Sequence, residues 1–175
     1  MSEYCIQAAM FKLPIPLFKR FTHDFWILRE VSNNTVIAQL HGLATSRKNG
    51  QIVPIGYSAD HSLRAHCSVY DLKLAQQFGL QMSAYELAIH GHHTVCTGND
   101  CLKHWRRAID AVNLINKLDL NYPRGGFKIP LSSTINSNSI YHTFAQVMNV
   151  PLHTFEGFFH IGIQSSIYDK IKNDL

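Results

Sequence analysis

Apolar residues gather in two ways along this chain. Between residues 25 and 40 they form two short runs, Phe25-Trp26-Ile27-Leu28 and Val36-Ile37-Ala38-Gln39-Leu40, separated by the turn-forming cluster Ser32-Asn33-Asn34. This pattern predicts a β-hairpin. A second turn signal, Lys48-Asn49-Gly50, precedes Ile52-Val53-Pro54-Ile55, where the proline predicts a sheet edge. Further strands are expected over residues 63–70, 85–89 and 157–163. Later the period changes. Trp105, Ala108, Ile109, Val112 and Ile115 recur at helical spacing, which predicts a helix over about 102–118, with Asn99 or Asp100 as its cap. After Pro123-Arg124-Gly125-Gly126, the cluster Asn136-Ser137-Asn138-Ser139 leads into Ile140, Phe144, Val147 and Met148, a second helical stripe. Strands first and helices later make an α+β domain, an antiparallel sheet packed against helices.

Composition supports a folded chain. With 175 residues, 46% hydrophobic and 16% charged, it has enough apolar material for one core, and no repeat or linker divides residues 1–175, so a single domain is expected. The apolar stretch nearest the N-terminus is cut by Pro14, Pro16, Lys19 and Arg20, which excludes a spanning helix there. No basic leader with a cleavage site opens the sequence, so synthesis in the cytoplasm without a signal peptide is expected. Four scattered cysteines predict thiols. The net charge of +4 and eleven histidines favour an anionic partner surface, but Lys and Arg are dispersed apart from Arg106-Arg107, which argues against nucleic acid.

Candidate chemistry starts at Asn136-Ser137-Asn138-Ser139. Asn and Ser at a helix start ordinarily satisfy its free N–H groups. A serine in the first turn also lies at the positive end of the helix dipole, where free N–H groups can stabilise an oxyanion. Such a serine requires a base, and His23 and His41 stand at the outer ends of the two hairpin strands. An odd loop, as in Ser32-Asn33-Asn34, puts both imidazoles on one face, whereas a two-residue turn puts them on opposite faces. Of the two serines, which point about 200° apart on the helix, Ser137, three residues before Ile140, is expected to face the hairpin as nucleophile and Ser139 to cap.

In its order of elements over residues 20–150, with His23-Asp24-Phe25-Trp26-Ile27-Leu28 early, a polar His41 on the adjacent strand and Asn136-Ser137-Asn138-Ser139-Ile140 opening a late helix, the chain resembles the circularly permuted papain-like hydrolases. That group includes the permuted NlpC-type and lecithin:retinol acyltransferase-like enzymes. The resemblance implies a permuted papain-like fold and acyl chemistry without a cofactor. It implies Ser137 in place of the family's nucleophilic Cys, His23 as base, His41 orienting it, and Asn136 and Asn138 supporting the helix start and oxyanion. It also implies a phospholipid or other acyl ester as substrate, with a peptidoglycan or peptide amide as the alternative. Compact members of the group are often bacterial effectors or toxins, which implies export by a dedicated secretion system and a cognate immunity protein.

A rival pairing joins Cys101 with His142, His153 or His160. A rival of another class is a zinc-stabilised binding module using His90, His92, Cys96, Cys101 and His104, although the cluster lacks a Cys-x-x-Cys knuckle. The apolar-basic stretch 10–25 suits either a lipid surface or packing over the core, and its prolines oppose a continuous amphipathic helix. Trp105 and Tyr122 are expected in the core.

Overall fold

In a computed structural model, which describes residues 3–14, 16, 19–53, 56, 60–129, 131 and 134–175, the chain forms an α+β domain. Its strands are β1 (Tyr4–Lys12), β2 (Thr22–Glu30), β3 (Thr35–Ser46), β4 (His61–Val69) and β5 (Gly91–Thr97). Its helices are α1 (Leu72–Phe78), α2 (Cys101–Lys117) and α3 (Ser137–Met148). The five strands form one antiparallel sheet in the order β4-β3-β2-β1-β5.

Strand alternation divides the core. Ile6, Ala8, Trp26, Leu28, Ala38 and Leu40 share a cluster with Trp105 and Ile115 of α2 and Ile140, Tyr141 and Phe144 of α3. Ala9, Phe25 and Ile27 point to the reverse face, under Leu87 and Ile89. The 85–89 segment, expected as a strand, is an irregular cover over that face. Its backbone is held by Gln39, whose Nε2 donates to Leu87 O at 2.9 Å while its Oε1 accepts from Leu87 N at 3.0 Å.

The hairpin is longer than its apolar runs, and its turn is Val31–Asn34, four residues ending in Asn34 at φ 58°. An even loop alone would place His23 and His41 on opposite faces. A β-bulge reverses this: Leu28 faces Ala38 but Arg29 faces Val36, so Ile37 is the extra residue. The expected shared face is therefore present, produced by the bulge and not by loop length.

Other expectations are corrected. Residues 157–163 form turns, paired with the sheet backbone by an isolated bridge between Phe21 and Phe159 and not as a strand. Ile52 makes one isolated bridge to Thr45, and Pro54 and Ile55 lie outside the described residues. The 10–25 stretch is divided between the end of β1 and the start of β2, with Ile15, Leu17 and Phe18 outside the described residues. Asp100 occupies the cap position of α2 without a side-chain capping bond. Among the described residues no helix is long and apolar enough to cross a membrane.

Pairing between β2 and β3 ends at Trp26–Leu40, although both strands continue. The start of α3 occupies the resulting gap and lies tightly on Gly42: a Cβ there would stand 2.5 Å from Ile140 Cβ and 3.0 Å from Ser137 O. Gly42→Ala is expected to lower stability by about 1–3 kcal/mol through overpacking, read as a lower urea midpoint at unchanged slope.

Candidate functional site

Helix α3 begins with a reciprocal cap. Asn136 Oδ1 accepts from Asn138 N at 3.0 Å, and Ser139 Oγ accepts from Asn136 N at 3.0 Å. Ser139 Oγ also donates to Gly162 O at 2.8 Å, so this fully buried hydroxyl serves structure. Asn136 Nδ2 donates to Gly126 O at 2.7 Å, which ties the cap to the preceding loop. Ser137 has no part in the cap. Its amide is without a hydrogen-bond partner among the described residues. Burial pushes the Tyr122 phenol's pKa up, with the Ser137 side chain opposing.

Asn138 fastens the helix start to β2. Its Oδ1 accepts from Asp24 N at 2.9 Å and its Nδ2 donates to Thr22 O at 3.2 Å, backbone groups on either side of His23. Ser137 is thus one residue from the side chain that brackets His23. No hydrogen bond joins Ser137 to His23 or His41. The imidazoles lie on the sheet face of Phe25, opposite the face on which Tyr141 of α3 stacks with Trp26, so the gap between β2 and β3 is where the two sides meet.

The tautomers of the pair follow from Gln39. Because the Leu87 peptide fixes the Gln39 amide, Oε1 is the atom 2.9 Å from His41 Nε2, and that nitrogen must donate. Burial, followed by repulsion from His23 and His66, holds the His41 pKa well below its ordinary value, so the ring is neutral and Nδ1 accepts. At 3.3 Å from it, His23 Nε2 is then the donor. Burial lowers the His23 pKa to about 4, against the opposing influence of Asp24. His23 Nδ1 is left with its lone pair free of any partner among the described residues. Phe25 and Tyr85 flank the His41 ring, stacked at 4.7 Å and edge-on at 5.7 Å, and hold its plane.

A second buried pair went unread in the sequence. Asp24, wholly buried on the α3 side of β2, places Oδ2 2.5 Å from His160 Nδ1, while Oδ1 has no partner among the described residues. Burial pulls the His160 pKa down, but the hydrogen bond and charge of Asp24 and the Phe155 carbonyl prevail and raise it. His160 Nε2 lies 3.0 Å from Phe155 O, and His142 Nδ1 donates to Ile163 O at 2.7 Å. Together with Ser139 and Gly162, these contacts strap residues 155–163 across the start of α3. The adjacent His23-Asp24 was the only signal in the sequence.

The zinc ligands do not converge. Strand β5 sends His92 and His93 to opposite faces, opposite Ala9 and Ala8, and His90 Nδ1 accepts from Lys12 N. Cys96 and Cys101 touch at 3.0 Å as free thiols, whereas His104 Nδ1 is buried without a partner among the described residues. No group of three potential ligands exists among the described residues, which argues against His90, His92, Cys96, Cys101 and His104 as a centre. Cys101 is buried against Cys96, and burial pushes its thiol pKa up to about 12, unsuited to a nucleophile paired with His142, His153 or His160.

Compared with protein-family models, with curated proteins and with solved structures, the chain matches none at a significant level.

Two outcomes follow. Ser139→Ala is expected to cost about 1 kcal/mol of capping, more if Gly162 O is left without a donor, measured by thermal unfolding. His23 and His66, each lowered to about 4, and His41, lowered well below its ordinary value, bind protons more readily when unfolded. Their stabilisation is present above the unfolded pKa of about 6.5 and lost as pH falls toward 4, and each group alone takes away roughly 1.4 kcal/mol for every tenfold rise in proton concentration across that window. The unfolding midpoint should therefore fall steeply between those pH values, and less steeply in His66→Gln.

Proposed function

We propose that the chain is an acyl hydrolase or acyltransferase of permuted papain-like type, with Ser137 as nucleophile, His23 as general base and His41 orienting it. The observation that carries this reading is the chain of hydrogen bonds from Leu87 through Gln39 and His41 to His23. It leaves His23 Nδ1 neutral and without a partner among the described residues, on the strand to which the α3 start is fastened, where Ser137 is the serine outside the cap. A five-stranded antiparallel sheet with α3 set into a gap beside the histidine strand agrees with the same reading.

In the reaction, Ser137 Oγ bonds to the substrate carbonyl carbon and its proton passes to His23 Nδ1. No hydrogen bond joins Ser137 to His23 in the resting structure, so this transfer requires the two groups to draw together in the substrate complex. The imidazolium is stabilised by His41 Nδ1, which accepts from His23 Nε2, and by the carboxylate of Asp24. The oxyanion faces the Ser137 amide at the positive end of α3. His23 then returns the proton to the leaving group, and water or another acceptor releases the acyl group.

An ester suits this site better than an amide, because an alkoxide leaving group requires less protonation and a serine hydroxyl depends wholly on its base. A phospholipid is the favoured ester. Phe159 and Leu131, both exposed, line a shallow cleft with His160 and Gly162 beside the α3 cap. Phe127 and Ile129 are also exposed, in a segment that carries Arg124 and Lys128. Such a surface suits an anionic lipid interface.

Wild-type protein is expected to release fatty acid from phosphatidylglycerol-containing vesicles, less so as salt screens the attraction, and Ser137→Ala is expected to be inactive yet folded. Fragments from purified peptidoglycan with intact lipid would replace the esterase reading with an amidase. Product from neither substrate would refute acyl chemistry. The acid limb of kcat/KM should lie near pH 4, following His23, and not near 6.5.

A further inference from the structure

Strand β5 and helix α2 meet at a pair of sulfurs that the acyl reaction does not use. Cys96 faces Ile6 across the ladder, so both point to the α2 side of the sheet, while Cys5 alternates to the reverse face. A bulge sets this register: Gln7 faces Thr94 but Ile6 faces Cys96, so Val95 is the extra residue. Without it, Val95 would face Ile6 and Cys96 would turn away from α2. The chain then reverses through Thr97, Gly98, Asn99 and Asp100. Gly98, at φ 120°, donates its N–H to Tyr4 O at 2.9 Å, and its carbonyl accepts from Cys101 N at 3.2 Å. Cys101 thereby opens α2 wholly buried, its sulfur 3.0 Å from that of Cys96, which stands half-buried near the end of β5. Both are free thiols. A disulfide bond, ~2.05 Å long, requires them to close by only about 1 Å.

We propose that Cys96 and Cys101 form a reversible redox-modification site, oxidised by an organic hydroperoxide to a disulfide that staples the edge strand β5 to α2. Cys96 is the sulfur that a reagent reaches, since Cys101 is wholly buried. As thiolate, Cys96 attacks the terminal oxygen of the hydroperoxide. The S–O bond forms, the O–O bond breaks, and the alkoxide leaves as an alcohol with the proton that Cys96 gave up, so Cys96 becomes a sulfenic acid. The Cys101 sulfur then attacks the Cys96 sulfur: the S–S bond forms, the S–O bond breaks, and hydroxide departs as water with the Cys101 proton. In sum the two thiols lose two electrons and two protons, and the hydroperoxide is reduced to an alcohol and water. Burial pushes the Cys101 pKa up to about 12, so this thiol does not compete for the oxidant, and its one target is a sulfur already in contact, where proximity replaces intrinsic reactivity. A dithiol reductant restores both thiols by exchange. The bond gives β5, paired in the sheet with β1 alone, a covalent tie to a core helix.

The test treats the reduced chain with cumene hydroperoxide and reads intact mass, alkylation of each cysteine after denaturation, and thermal unfolding. Wild type is expected to lose two hydrogen masses, to keep Cys5 and Cys67 open to alkylation while Cys96 and Cys101 are protected, and to yield one cumyl alcohol per disulfide. Dithiothreitol is expected to restore all four thiols. Oxidation is expected to raise the thermal midpoint by roughly 5 °C. Cys101→Ala is expected to stop at a sulfenic acid on Cys96, trapped by dimedone. Cys96→Ala, altered at a half-buried position, is expected to fold and to show neither the cross-link nor the rise, which keeps the inference testable should Cys101→Ala fold poorly. A folded wild type whose four thiols all stay open to alkylation, a bond from Cys5 to Cys96, or the same rise in Cys96→Ala would overturn it. None of these readouts depends on Ser137, so the acyl-hydrolase reading stands or falls separately.

Discussion

The two hydrogen bonds from the Asn138 side chain to β2 are the constraint on which the site depends. Beyond Trp26 and Leu40 the two central strands part, which leaves the Asp24 amide and Thr22 carbonyl facing away from β1 without a neighbouring strand. Buried backbone groups of that kind must be paired, and one carboxamide supplies both an acceptor and a donor. Asn138 thus stands in for the missing strand. Its position in the first turn of α3 obliges the helix start, and with it Ser137, to lie in the gap beside His23.

The gap separates two electrostatic regimes. On one face, His41 and His23 are buried among Phe25, Tyr85 and the Leu87 peptide, and desolvation keeps both neutral. On the other, the Asp24 carboxylate holds His160 toward its charged form. The opposite signs have one cause: burial penalises a charge with no partner and tolerates one beside an opposite charge. Asp24 bears on both regimes, since it follows His23 in sequence and strand alternation sends it to the other face.

The covering segments are as necessary as the sheet. Residues 85–89 shield the histidine face and, through Leu87, orient Gln39 and hence the tautomer of His41. Residues 155–163 close over the α3 start, where a side chain at Gly162 would meet Asn136 Oδ1 at 2.3 Å. Both lack regular structure and both complete their backbone hydrogen bonds with buried side chains of the sheet or helix, which is how irregular chain is accommodated against a core.

Local pattern by itself determined the hairpin, β4, α2, α3 and the capping role of Ser139, because each repeats with the period of its element or uses a side chain bonded within a few residues. It also marked Ser137, His23 and His41 as candidates, and separated Ser137 from Ser139 by their angle around the helix. Only tertiary structure decided β1 and β5. The Tyr4–Lys12 segment is alanine-rich and weakly alternating, and is a strand because β2 and β5 pair with both its edges. The histidines of β5 read as a ligand cluster in one dimension and are dispersed by the pleat in three. The shared face of His23 and His41 came from a bulge at Ile37, the pairing of Asp24 with His160 spans 136 residues, and the neutral state of the imidazoles depends on a cover drawn from residues 85–89. Register, burial and long-range contact arise from how segments meet, and periodicity within a segment carries no record of its partners.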